Sequence, residues 1–214
     1  DGILSEIEKE LGQEQIARLW KRYGRIFVTG ACIIVAAVAG YKAWENYDLS
    51  NRGKQGEQYA ASLRLTSGDN TEAALDALKM LNSDATTGYK MLSGFKAAAL
   101  MAQSGDTQGA ANAYDTLAGD DSLEASYRDL AILLGAVQRI NGGEDTSTVT
   151  SRLASLAADN NPWQFSAKEM MAVLAEQSGD KVKARELFKA LSEDAAAPQG
   201  IRQRAGEMLS ALAE

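Results

Sequence analysis

The chain has 214 residues, with no histidine, one cysteine, two prolines and a formal net charge of −7. The lack of histidine removes the commonest general base and the commonest metal ligand. Lone Cys32 can form neither an internal disulfide nor a zinc cluster. The negative charge argues against a nucleic acid partner, because phosphates require clustered Lys and Arg. The composition therefore predicts a protein that is not an enzyme and holds no metal or cofactor.

Residues 1–24 are predicted to form a cytoplasmic amphipathic helix. Ser5 and Glu8 have the spacing of a capping box at a helix start. The apolar stripe at helical spacing consists of Leu4, Ile7, Leu11 and Ile16. Such a helix either docks on the membrane surface or a cytoplasmic partner, or it is a solvated extension of the segment that follows.

Residues 25–46 are predicted to be a transmembrane anchor in the lipid bilayer. Residues 26–41 carry no charge, and a helix from Tyr23 to Tyr41 would measure about 27 Å, close to the thickness of the hydrocarbon layer. The predicted membrane-interface anchors are Trp20, Tyr23, Arg25, Tyr41 and Trp44. A buried core helix does not need aromatic residues at both ends.

Two further features concern this segment. Ala37-Val38-Ala39 before Gly40 imitates a signal-peptide cleavage site, but the leading segment is long and acidic as well as basic, so a retained anchor is favoured. On one face of the helix, Cys32, Ala36 and Gly40 form a stripe of small residues, which is the candidate helix-packing face.

The orientation of the anchor follows from the charges at its two ends. The cations that precede the apolar segment are Arg18, Lys21, Arg22 and Arg25. On the other side Glu45 and Asp48 intervene among Lys42, Arg52 and Lys54. The positive-inside rule then places the amino terminus in the cytoplasm and the carboxyl-terminal domain, in a bacterium, in the periplasm.

Residues 47–214 contain a repeated turn and helix. The stretch SGDNTEAALDALKML begins at Ser67, and related stretches begin at Ser104 and Ser178. The spacing of 37 and then 74 residues predicts a further, degenerate copy at Asn141. The predicted turn glycines are Gly68, Gly105, Gly142 and Gly179. Each would close one helix in the left-handed conformation, and the aspartate that follows in three copies would cap the next helix.

Small residues recur twelve positions apart around each of these turns. The four pairs are Ala61 and Ala73, Ala98 and Ala110, Gly135 and Ser147, and Ala172 and Ala184. This pattern resembles the tetratricopeptide repeat, in which a small residue of the first helix faces an alanine of the second. The resemblance implies about four 37-residue hairpins in an α-solenoid, with a capping helix after Pro198. Together with the amphipathic helix and the single transmembrane helix predicted above, this gives an all-α fold.

The resemblance also implies a concave groove that binds proteins or peptides. The residues that match the family's groove positions are Gln58, Leu92, Phe95, Ile132, Arg139 and Glu169. For each of them, ordinary packing between repeats is the alternative role.

The overall layout resembles a bacterial inner-membrane family that includes the ancillary subunit of the Sec translocon, in its alphaproteobacterial variant. The resemblance rests on the basic-aromatic RLWKRYGR, a span that ends in GYKAWENY, and the repeat domain behind them. It implies a protein with one span that associates with the translocon and relays emerging chains to periplasmic chaperones. The alternative is an accessory or assembly subunit of another inner-membrane complex, such as a respiratory enzyme.

Overall fold

The computed structural model describes the backbone of residues 2–66 and 70–212, and the side chains of residues 20–66, 70–83 and 85–212. These residues form nine α-helices and no strand, which confirms the predicted all-α class. The helices are α1 (Gly2–Thr66), α2 (Thr71–Asp84), α3 (Thr87–Gln103), α4 (Thr107–Ala118), α5 (Ala125–Asn141), α6 (Thr146–Ala154), α7 (Gln164–Gln177), α8 (Lys181–Glu193) and α9 (Gln199–Ala211).

Helix α1 is continuous from Gly2 to Thr66. It contains the segment predicted as an amphipathic helix, the predicted anchor and the first helix of the repeat domain. The prolines of the chain are Pro162 and Pro198, so no residue of α1 lacks the backbone N–H that a helix interior needs. The chain divides into two compact units within this helix, the first ending at Lys54 and the second beginning at Gln55. The side chains of the apolar stripe at residues 4–16 lie outside the described residues.

The second unit is a linear array of packed helices. Each helix from α2 to α9 packs against the next, and α9 also contacts α7. We call α3–α4, α5–α6 and α7–α8 the second, third and fourth hairpins; the end of α1, from Gln55 onward, and α2 form the first. The apolar core is divided into four clusters along the array, centred on Leu78, Tyr114, Leu153 and Phe188. Each hairpin therefore packs mainly on its neighbours, as in other repeat proteins.

The turns of the second and fourth hairpins have the same geometry. Gly105 and Gly179 have φ values of +86° and +83°. The N–H of Asp106 donates to the carbonyl of Met101 at 2.9 Å, which is the bond that closes a Schellman motif. The Asp106 carboxylate then accepts from the N–H of Gly109 at 2.8 Å and caps α4. One glycine and one aspartate thus end one helix and start the next.

The turn of the third hairpin differs from the prediction. Gly142 has φ −80° and ends α5, while the left-handed residue is Gly143, at φ +78°. The cap of α6 is Asp145, which accepts from the N–H groups of Ser147 and Thr148. Hydrogen bonds from the Ser147 hydroxyl and from the Thr148 N–H lower the pKa of the Asp145 carboxyl. The sequence supplies two consecutive glycines here, and the turn uses the second one because α5 extends to Asn141.

The first turn also departs from the predicted register. Gly68 lies outside the described residues, and the cap of α2 is Asn70, which accepts from the N–H of Ala73. The four caps are therefore Asn70, Asp106, Asp145 and Asp180, at intervals of 36, 39 and 35 residues. The 37-residue period holds as an average, and the turns vary in length around it.

The caps determine which small residues face the neighbouring helix. Ala98, Ala110, Ala172 and Ala184 are fully buried, as predicted. In the first hairpin the prediction was wrong by one residue, since Ala61 is exposed and Ser62 and Ala74 are buried.

In the third hairpin Gly135 is buried, but Ser147 is exposed and Val149 takes the buried position. On the second helices the two corrections, from Ala73 to Ala74 and from Ser147 to Val149, have the same reason. The buried residue is always the fourth after the cap, at Ala74, Ala110, Val149 and Ala184, so a shifted cap shifts the buried face with it.

We expect Gly143→Ala to lower the free energy of unfolding by about 1–2 kcal/mol, the cost of a left-handed backbone for an L-residue. A Cβ at Gly143 would meet nothing within 4 Å, so the loss reports backbone strain alone. The measurement is a urea titration of the full chain in mild detergent, followed by circular dichroism. The control is Gly206→Ala in α9, which has open space and no positive φ and should be neutral or stabilising. Equal effects of the two substitutions would contradict the assignment of the turn to Gly143.

Candidate protein-interaction surface

The structure places the six predicted groove residues in three different settings. Gln58 and Leu92 are exposed. Phe95 packs on the second cluster, with its ring centroid 6.0 Å from that of Tyr114, and Ile132 packs on the third. Arg139 and Glu169 are held in ion pairs. Contacts within the repeat array, either inside a hairpin or with a neighbouring element, thus occupy four of the six and leave Gln58 and Leu92 accessible.

Arg139 is the centre of an ion-pair network between the second and third hairpins. Its side chain is only 9% exposed and contacts Asp115 of α4 and Glu144 of the α5–α6 turn. Asp115 also accepts from Arg152 of α6 at 2.9 Å. The hydrogen bond from Arg139 to Glu144 is the main reason that the pKa of this guanidinium is raised. The network joins three helices through charges that are partly removed from water, so removal of Arg139 would leave its carboxylate partners less compensated.

Glu169 has a comparable role at the end of the array. Arg204 of α9 donates two hydrogen bonds to its carboxylate, at 2.7 and 2.8 Å. This bidentate geometry is the strongest form of an arginine–carboxylate contact, and it raises the pKa of the Arg204 guanidinium. Helix α9 therefore occupies the Glu169 side chain that the sequence pattern assigned to a groove.

Several clefts lie between the helices of the described repeat array. One of about 400 Å³ lies between the start of α6 and the turn after α7, and one of about 210 Å³ lies between the start of α4 and the turn after α5. Both have Thr and charged residues in their walls, and the larger one also has Ser. Another cleft, of about 300 Å³, is mainly apolar. Its walls are Ala157, which follows α6, and residues of α7 and α8. No residue of the predicted groove lines this cleft.

The apolar segment of α1 is exposed along its described length. Within this helix an 18-residue window has a mean hydropathy of 1.9 and is 0% buried, so its length and composition would allow it to cross a membrane. The predicted interface anchors Trp20, Tyr23, Arg25, Tyr41 and Trp44 are all exposed. Of the predicted packing face, Cys32 and Ala36 line a shallow groove of about 500 Å³ together with Phe27 and Val35, whereas Gly40 does not line it.

We expect Arg139→Gln to lower the free energy of unfolding by about 2 kcal/mol, because it leaves two partly buried carboxylates without their shared cation. Arg128→Gln is the control on the same helix, since Arg128 pairs with Asp121, whose side chain is 93% exposed, and should cost about 0.5 kcal/mol or less. Urea titration of both variants measures the difference. A loss at Arg139 no larger than that at Arg128 would show that the network does not hold the hairpins together.

Comparison with known families identifies the repeats. No curated protein matches the chain significantly. The sequence profile described as the tetratricopeptide repeat-like domain matches residues 18–208, which is most of the chain. All-helical repeats of this kind suggest a role in protein–protein interaction and are typically not enzymes. The chain therefore belongs to the tetratricopeptide repeat-like domain family.

Proposed function

We propose that this protein is a scaffold with a single membrane span whose helical repeats bind other proteins. The observation that carries the proposal is the apolar window of α1, which has a mean hydropathy of 1.9 and is not buried by any described part of the chain. A contiguous apolar surface of this size is rare on a soluble monomer, and a bilayer would cover it. The family supports the second half of the proposal, because its repeats bind proteins or peptides.

The proposed domains are a cytoplasmic helix at 1–24, the anchor at 25–46 and the repeat domain at 47–214. The orientation is supported by the cations that precede the span, among them Arg18, Lys21 and Arg22. In a bacterium the repeat domain would then lie in the periplasm. Its excess of carboxylates over cations favours solubility there and repels anionic headgroups.

For the partner we propose the Sec translocon, with the repeats relaying emerging chains to periplasmic chaperones. Support for this comes from the sequence layout, in which a basic-aromatic segment precedes one span and a repeat domain follows it. The second candidate is an accessory subunit of another inner-membrane complex, such as a respiratory enzyme. The groove on α1 at Cys32 and Ala36 favours it, because small residues allow close packing against the helix of a membrane partner.

The lone cysteine allows a direct test of the topology. In a Cys32→Ser background, Val182→Cys introduces a thiol at a position that is 68% exposed in the repeat array. We expect a membrane-impermeant maleimide to label this variant in intact spheroplasts of a bacterial host. Glu14→Cys in the same background is the control and should react only after lysis. Labelling of the two positions in the opposite order would reverse the proposed orientation.

Crosslinking of the native protein in its membrane, followed by mass spectrometry, tests the choice of partner. We expect translocon subunits and periplasmic chaperones among the neighbours. A stoichiometric respiratory complex without them would overturn the translocon assignment and favour the second candidate. Recovery in the soluble fraction after alkaline carbonate extraction would overturn the anchor itself.

A further inference from the structure

The third hairpin has an unusually short second helix. Helix α6 has 9 residues, whereas α4 has 12 and α8 has 13. The chain continues from 155 to 163 as a nine-residue connection to α7, the longest between described helices. Two hydrogen bonds hold this connection on α5: Trp163 donates from Nε1 to the carbonyl of Ser126, and Asn161 donates to Asp129, each at 2.8 Å. The missing helical turn is therefore replaced by a well-anchored segment.

The apolar cleft of about 300 Å³ lies where α6 has ended. Ala157 of the connection forms one wall, and Met171 of α7 and Leu187 of α8 form the others. Ala190, which is exposed, lies at the edge of the cleft, between these walls and solvent. This volume is at the lower end of the range for binding pockets, and it suits one apolar side chain better than a large ligand.

The second hairpin differs from the fourth hairpin at the positions that line the cleft. Its corresponding positions are 74 residues earlier, where Gly94 replaces Lys168 and Leu117 corresponds to Leu191. The Leu117 side chain fills that space, since a Cβ added at Gly94 would lie 2.8 Å from its Cδ2. The same segment of the repeat is thus closed in one hairpin and open in the other.

The charges around the cleft favour a bound segment that carries a cation next to its apolar side chain. The Lys168 ammonium lies 3.6 Å from a carboxylate oxygen of Asp159, so these two charges offset each other. Asp194 lines the cleft and ends α8. Its Oδ1 accepts from the N–H of Ala196 at 2.8 Å, and it forms no ion pair within the described side chains. One carboxylate therefore remains uncompensated at the rim and has further lone pairs to offer.

We propose that this cleft binds a segment of a partner protein in which an apolar side chain lies next to a Lys or Arg. The apolar side chain fills the space between Met171 and Leu187, and the cation pairs with Asp194. This inference rests on the proposed function, because it assigns a sequence class of partner to the repeat domain. It places a protein-binding site on a hairpin edge that none of the six residues of the predicted groove lines.

The test uses the full chain in phosphatidylcholine nanodiscs and three fluorescent nine-residue peptides. The first has a central Phe flanked by two lysines, the second has glutamates in place of the lysines, and the third has Ala in place of Phe. Fluorescence anisotropy, corrected with empty nanodiscs, gives the dissociation constants. We expect the lysine-flanked Phe peptide to bind at least about tenfold more tightly than the Ala peptide, a difference within reach of one buried aromatic side chain.

Two pairs of variants locate the binding. Ala190→Trp fills the cleft from its exposed edge and should weaken the Phe peptide about tenfold, while Thr116→Trp, at the corresponding exposed position of α4, should not. Asp194→Asn keeps the acceptor for Ala196 but removes the charge, so it should weaken the lysine peptide about threefold, as expected for an exposed charge pair. Its control is Asp120→Asn, because Asp120 accepts from the N–H of Ser122 in the same way.

The outcomes separate the inference from the function on which it rests. Equal affinity for the lysine and glutamate peptides, or binding that Ala190→Trp leaves unchanged, would overturn the proposed cleft. Neighbours that still crosslink in the Ala190→Trp variant would then show that the scaffold binds elsewhere. Recovery of the chain in the soluble fraction after carbonate extraction would instead overturn the proposed membrane scaffold, independently of the peptide affinities.

Discussion

The repeat array depends on the buried residue that lies four positions after the cap of each hairpin's second helix. Ala74, Ala110, Val149 and Ala184 are all completely buried at this position. A capping side chain fixes where the second helix of each hairpin begins, and the helical rotation then determines which residue faces inward four positions later. A side chain much larger than valine would separate the helices. The residue that caps each second helix thus also determines which residue enters the core.

That constraint explains both what the sequence predicts well and where it fails. The recurrence of Ser-Gly-Asp predicts the helix type, the number of hairpins and the buried pairs at Ala98–Ala110 and Ala172–Ala184. It fails where a period is counted and the position of the cap is ignored, because Ala74 and Val149 hold the buried positions that the period gives to Ala73 and Ser147. Counting assumes turns of equal length, whereas Asn70 and Asp145 begin their helices one and two residues late.

The surface residues were harder to predict for a different reason. Arg139 was assigned to a groove because of its position on a first helix, but its contacts with Asp115 and Glu144 depend on how two hairpins meet. The cleft beside Met171 results from an early helix end at Ala154 and from the identity of residue 168, and neither is visible in the repeat pattern. The six groove positions were transferred from the pattern of the family, and a pattern carries no information about which of its members pair with a neighbour.

The division of the core into four clusters has a consequence for how the repeat array unfolds under a pulling force. Each cluster shares residues with adjacent hairpins and with no distant one, so the array has the nearest-neighbour energetics of a one-dimensional polymer. Peeling α9 away would expose the cluster around Phe188 and Ile201 and leave those around Tyr114 and Leu78 intact. A pull on the carboxyl terminus would therefore detach the helices in successive small steps rather than in one rupture.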